Sequence, residues 1–166
     1  MTISRKLFTN EELILTNLSV KNKSEIISSL GKKALALGCI KEEFISNVLN
    51  REEDYPTGLE MALPIAIPHI KEGCKKSFLS MASLKNPIAF KAMEDSDKDI
   101  MVELVFMFGI TDPADQLEVL KKLVEVFQDK DTLEYFKKTL SSEKVLEKLL
   151  MLMGEYLDVG SKEVLL

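Results

Sequence analysis

The chain has no tryptophan, two cysteines and a single histidine among 166 residues, and each scarcity removes a class of chemistry. Cys39 and Cys74 form neither a CxxC pair nor a disulfide framework. They fit a reducing compartment, so a cytoplasmic location is expected. A zinc or iron centre needs more imidazole and thiolate than one histidine and two distant cysteines supply, so no metal and no cofactor are expected. The seven glycines are dispersed, with neither GxGxxG nor a P-loop pattern, and nucleotide phosphates find no cradle. Positive charge is in deficit: 22 Lys and Arg stand against 27 Asp and Glu, a formal charge of −5. That argues against nucleic acid and is compatible with a basic protein partner. No run approaches the roughly 18 apolar residues of a membrane span. The start, Met1-Thr2-Ile3-Ser4-Arg5-Lys6, lacks the apolar stretch of a signal peptide. Direct membrane insertion is not expected.

What remains is a globular composition, 46% hydrophobic and 30% charged, at a length suited to one domain with a sizeable core. A single domain is expected over 1–166, with the tail 154–166 unassigned. Leu13–Leu18 reads as a first strand. Asn22 and Glu25 form a capping box ahead of Ile26, Ile27, Leu30, Ala34 and Leu37 at helical spacing, and Gly38 ends that helix. A second helix spans about Lys41–Glu53, followed by a turn at Tyr55–Gly58. Leu63–Ile67 reads as a short buried strand, interrupted by Pro64 and so either at an edge or irregular at its start. Ser77–Leu84 is another strand. Ile100–Phe108, apolar except for Glu103, predicts a central strand covered on both faces. A helix over about Ala114–Gln128 should turn Leu117, Leu120, Leu123, Val124 and Phe127 inward. Helices near Thr132–Leu140 and Ser142–Met153 follow. Strands alternating with helices indicate an α/β sandwich.

His69 carries whatever imidazole chemistry the chain performs. Imidazole, with an unperturbed pKa of about 6.5, is largely neutral and nucleophilic at physiological pH. Pro68 fixes the approach of the chain and has no N–H to give to a ladder. The expected setting is an exposed turn at the exit of a strand, where α/β folds present reactive groups. On local chemistry alone, a loop histidine without a task is as good a reading.

Two blocks change that balance. Arg51-Glu52-Glu53-Asp54-Tyr55-Pro56-Thr57-Gly58-Leu59 precedes Ile65-Ala66-Ile67-Pro68-His69. Together they resemble the active-site signature of enzyme IIA of the bacterial phosphoenolpyruvate-dependent sugar phosphotransferase system, in its fructose–mannitol branch. The similarity runs from Leu13 to about Met153 and leans toward the galactitol-like members. The resemblance implies a mixed β-sheet with helices on both faces. It implies a phosphotransferase whose histidine, here His69, accepts a phosphoryl group at Nε2 from HPr. The group then passes to a cysteine on enzyme IIB, which serves a membrane enzyme IIC. The alternative is a IIA-like regulatory module whose phosphorylation state controls a transcription factor or kinase. No fused helix-turn-helix, IIB or membrane segment is visible, which favours the relay.

Residue by residue, Arg51 matches the arginine of that motif, and its planar fork of donors suits phosphoryl oxygens. A solvated arginine favourably placed at a helix C-terminus is the plain alternative. Thr57 and Gly58 could form a small anion nest, or do simple turn chemistry. Where mannitol-type members carry a second histidine, this chain has Gln116, which can donate a hydrogen bond but holds no charge. A surface position near a helix start accounts for it equally well. Glu103, inside the apolar run, needs partners: it either orients the imidazole or pairs with a lysine, and the lysine is the expected partner. Cys74 lies five residues beyond His69 and makes a Cys–His hydrolase conceivable, though nothing else supports one. Ile67 and Ile70, flanking the turn, are expected at the centre of a partner-docking face.

Overall fold

Side-chain alternation along the long apolar run decides the architecture. Leu104, Phe106 and Phe108 enter one hydrophobic cluster, while Val105 and Met107 enter another on the opposite face. The computed structural model describes residues 3–160. From the amino end these form β1 (Leu7–Phe8), β2 (Ile14–Leu18), α1 (Lys23–Ala36) and α2 (Glu43–Asp54). Three short strands follow, β3 (Gly58–Glu60), β4 (Pro64–Ala66) and β5 (His69–Ile70), then two long ones, β6 (Phe78–Lys91) and β7 (Asp99–Gly109). The chain ends with α3 (Gln116–Phe127), α4 (Lys130–Lys138), α5 (Ser142–Met153) and β8 (Leu157–Asp158).

The sheet runs β3-β4-β7-β6-β1-β8, with β2 also pairing β6 and β5 also pairing β7. β6 and β7 are antiparallel, whereas β4 and β5 run parallel to β7 and β1 and β2 parallel to β6. The sheet is therefore mixed, as expected. Ile26, Ile27 and Leu30 of α1 and Phe44 and Val48 of α2 cover one face. Val119, Leu123 and Phe127 of α3, Leu133 and Phe136 of α4, and Val145 and Leu149 of α5 cover the other. Each such buried side chain contributes about 1.5–3 kcal/mol relative to exposure.

Several expectations shift in detail. The Asn22 side chain caps Glu25 N–H at 3.0 Å, but Glu25 reaches back to Lys21 N–H rather than to the cap residue itself. Of the two readings of the Pro64 strand, the irregular start holds and the edge does not. β4 lies between β3 and β7, and Pro64 is tolerated because it occupies the strand's first position. β6 continues to Lys91, past a register shift between Ser83 and Ile88. On α3 the buried positions are Val119, Leu123, Val126 and Phe127, whereas Leu117 and Val124 face solvent. The apolar stripe of that helix is wider than the core it meets. Of the tail, Leu157–Asp158 is a strand against β1, and residues 161–166 lie outside the described residues. No helix among the described residues is long and apolar enough to cross a membrane.

Candidate active site

α2 delivers Arg51 and β5 delivers His69. Leaving α2, the chain turns through Tyr55 and Pro56 into β3, which must pass close to the end of β6. A Cβ on Gly58 would lie 2.6 Å from the Lys91 carbonyl oxygen, so only glycine fits there. β4 then returns antiparallel to β3 and brings Ile67-Pro68-His69 beside Thr57. The Ile67 N–H is shared between the Thr57 carbonyl at 3.3 Å and the Thr57 hydroxyl at 3.2 Å. Residues preceding proline are confined to extended conformations, which fixes the direction of the next carbonyl. The Pro68 carbonyl accepts from Phe108 N–H at 3.1 Å, locking β5 to β7.

His69 is consequently not an exposed turn residue. It pairs with Phe108 across the sheet, is 8% exposed, and lies flat on the Phe108 ring with centroids 4.7 Å apart and planes 3° from parallel. Its Nδ1 stands 2.7 Å from the Ile67 carbonyl oxygen. A carbonyl can only accept, so Nδ1 carries the proton and Nε2 of the neutral ring keeps the lone pair. Burial pushes the imidazole below its usual 6.5, the Ile67 carbonyl opposes that shift, and the Arg51 charge adds to it. The ring is thus held neutral and nucleophilic.

Arg51 sits half-buried in the last turn of α2, its guanidinium carbon 5.0 Å from the Tyr55 ring centroid. Its Nε is buried without a hydrogen-bond partner among the described residues. Beside it opens a cleft of about 450 Å³, lined by Glu43, Arg51, Asp54, Tyr55, Ile70 and Glu72 among others. Ile70 reaches this cleft, but Ile67 is 1% exposed and cannot contact a partner, contrary to expectation. Its place in the apolar run Leu63–Ile67 was the sign that it is covered.

The other sequence-predicted residues fall in different places. Thr57 is buried, its N–H donating to Glu52 Oε2 at 2.8 Å and its hydroxyl to Glu52 Oε1 at 2.9 Å. The Thr57 hydroxyl offered to an anion is therefore committed to a carboxylate, and Gly58 is explained by the close approach of Lys91. Gln116 occupies the first position of α3, half-buried, with no side-chain hydrogen bond to His69 or Arg51. Glu103 pairs with Lys137 of α4 at 3.8 Å, and Lys137 also donates to the Leu84 carbonyl. Its role is structural. Cys74 donates its thiol to the Lys76 carbonyl, and burial pushes that thiol up to about 11, far from a thiolate at neutral pH. The residue that sequence reasoning passed over is Glu52, quoted in the motif without a role, yet 1% exposed and bonded twice to Thr57. A carboxylate in a helix's last turn, where the dipole disfavours it, was the available signal.

Residues 7–151 match the family described as "Phosphoenolpyruvate-dependent sugar phosphotransferase system, EIIA 2". The galactitol-specific EIIA component of Escherichia coli K12 is 28% identical over 123 residues, covering 73% of this chain and 81% of that protein. A "Probable licABCH operon regulator" of Bacillus subtilis strain 168 is 26% identical over 141 residues, covering 74% of this chain but 22% of the regulator. Among solved structures, the complex of Escherichia coli mannitol enzyme IIA with phosphorylated enzyme IIB superposes at a TM-score of 0.72 with 23% identity, covering 87% of this chain and 99% of that one. With the matched region spanning nearly the whole chain, including both Arg51 and His69, the protein belongs to the EIIA type 2 family of the phosphoenolpyruvate-dependent sugar phosphotransferase system.

Proposed function

We propose that His69 is the phosphorylated residue of a relay: it takes a phosphoryl group from the phosphohistidine of an HPr-type carrier and gives it to a cysteine of an enzyme IIB, which serves a membrane IIC. One arrangement carries this reading. Nδ1–H is tied to the Ile67 carbonyl, leaving Nε2 with its lone pair, while the charge of Arg51 acts on the same ring and its Nε has no partner among the described residues. A neutral nucleophile beside an unsatisfied guanidinium donor suits phosphoryl transfer, which asks mainly for in-line positioning and stabilisation of equatorial oxygens.

In the accepting step, the Nε2 lone pair attacks phosphorus as the donor's N–P bond breaks, returning that electron pair to the donor's imidazole. Positive charge develops on the His69 ring, and the Ile67 carbonyl dipole aimed at Nδ1–H stabilises it. Arg51 offers donors to the phosphoryl oxygens in flight. In the second step a IIB thiolate attacks phosphorus, and the His69 N–P bond breaks back to a neutral ring. The acidic lining of the adjoining cleft, from Glu43, Asp54 and Glu72, complements a basic carrier surface. Thr57 and Gly58 act here by shaping the turn, and Gln116 adds no charge.

The test is incubation with phosphoenolpyruvate, enzyme I and HPr, followed by mass spectrometry. One acid-labile, base-stable phosphoryl group is expected, and it should discharge on addition of a cognate IIB. The similarity to part of an operon regulator favours one second reading, a module read out by its phosphorylation state. In that case the phosphorylated protein persists in the presence of every IIB tested and changes the activity of a transcription factor or kinase instead.

A further inference from the structure

Glu52 is an awkward residue to bury. It lies in the last turn of α2, where the helix dipole already concentrates negative charge, and it is 1% exposed. Burial pushes its carboxyl above the usual range, against the pull of the Thr57 hydrogen bonds and Lys23. Apolar packing of the same volume would serve stability as well or better. Proteins keep such locally unfavourable groups where they hold a working site in shape.

Its bonds lead to the nucleophile in three steps. Both Glu52 oxygens accept from Thr57, one from the N–H at 2.8 Å and one from the hydroxyl at 2.9 Å. Having spent its proton on Glu52, the Thr57 oxygen can only accept at its remaining lone pairs, and it accepts from Ile67 N–H at 3.2 Å. Ile67, kept extended by Pro68, presents its carbonyl to His69 Nδ1 at 2.7 Å. An ionised carboxylate, which cannot donate, holds the Thr57 hydroxyl in one orientation, and Thr57 in turn anchors the Ile67 peptide whose carbonyl meets Nδ1. An amide in its place could donate to the Thr57 oxygen and let the hydroxyl turn round.

We infer that Glu52 is a positioning residue for His69: through Thr57 and Ile67 it fixes the imidazole as the Nδ1–H tautomer, with Nε2 facing the incoming phosphoryl group. The inference rests on the relay reading above, but its first test does not need phosphorylation. His69 is the only histidine in the sequence, so ¹⁵N spectra of histidine-labelled protein report one ring. The wild type should show a protonated Nδ1 and an unprotonated Nε2. Glu52→Gln and Thr57→Val should drift toward a mixture of tautomers, and Thr57→Ser, which keeps the hydroxyl, should return the wild-type spectrum. In single-turnover transfer from phospho-HPr, Glu52→Gln should lower the maximal rate about 10- to 100-fold, the usual scale for a supporting contact, with half-saturation by the donor unchanged.

A folded Glu52→Gln protein with the wild-type tautomer and rate would overturn the positioning role and leave Glu52 a structural tie between α2 and β3. If neither Glu52→Gln nor Thr57→Val folds, the wild-type ring decides. Protonation at Nε2 overturns the inference, whereas protonation at Nδ1 with an exchange-protected Thr57 hydroxyl supports it. A wild-type protein that takes no phosphoryl group sinks the relay reading instead, and the tautomer comparison stands apart from that result.

Discussion

The two helical faces of the sheet are built on different terms. On the α3–α5 face, α4 and α5 start on side-chain caps while α3 does not: Asp129 caps Asp131 N–H at 3.2 Å and accepts from Thr132, and Ser141 caps Lys144 N–H at 3.2 Å. Its interior is aromatic, with Phe106 meeting Phe127 at 4.9 Å and Phe136 at 5.8 Å between centroids. On the α1–α2 face, α2 starts without a side-chain cap and ends in an unpartnered Arg51 Nε, a buried Glu52 and a Tyr55 that is 65% exposed. The α3–α5 face supplies the aromatic cluster that includes Phe108, on which His69 stacks, and the α1–α2 face brings the charged end of α2 toward that ring. Only the second needs groups held in conformations that packing alone would not choose.

The largest expected effect tests the reactive side. His69→Gln should abolish phosphorylation outright, read as loss of the added mass after incubation with the donor system. Glutamine is chosen because alanine would leave a void against Phe108. A protein that is still labelled would break the comparison at its root.

On the structural side, Phe136→Ala should cost about 3–5 kcal/mol of stability, the range for a buried aromatic truncated in a core. Chemical denaturation measures that loss. Transfer rates below the new melting temperature should stay near wild type, and a rate that falls with stability would mean that the packing under Phe108 also sets the His69 ring. Arg51→Lys should do the reverse. It keeps the charge but loses the planar fork, so the single-turnover rate should fall roughly 100- to 1,000-fold, or about 3–4 kcal/mol of barrier. Its melting temperature should hold. A normal rate would return Arg51 to the role of a helix-end charge.

The pH response sharpens the same division. The folded imidazole is held below its usual 6.5 mainly by burial. Between that lowered value and 6.5 the unfolded chain binds a proton that the folded protein refuses, so stability should decline as pH falls through this window. One proton limits the slope to about 1.4 kcal/mol per pH unit. His69→Gln should remove that component, as urea unfolding at several pH values would reveal. The smallest effect is Asp129→Ala, about 1 kcal/mol for a lost cap, with no change in transfer. A thermal melt is sufficient to see it.

The sequence announces the ends of the site and hides its middle. His69 and Arg51 are legible because their residue types are suited to the chemistry and stand in recognisable blocks. The Glu52–Thr57–Ile67 chain is not, because it depends on two segments ten residues apart meeting across a β3–β4 pair. Helix α5 is legible in its bounds, Ser142–Met153. The inward face of α3 misleads, since Leu117 and Val124 satisfy helical periodicity while pointing to water. Strands β1, β3 and β8 have two or three residues each, too few for any period to register. β6 hides its second half behind exposed Lys85, Asn86 and Pro87.

The stacking of His69 on Phe108 has a bearing on traffic through the proposed relay. A ring pressed flat against a neighbour and tethered at one nitrogen cannot swing between a loading and an unloading position. Whatever brings the phosphoryl group and whatever takes it away must come to the same nitrogen by the same approach. Donor and acceptor would then queue for a single berth, and the relay should run as an alternation of visits in which a surplus of either visitor obstructs the other.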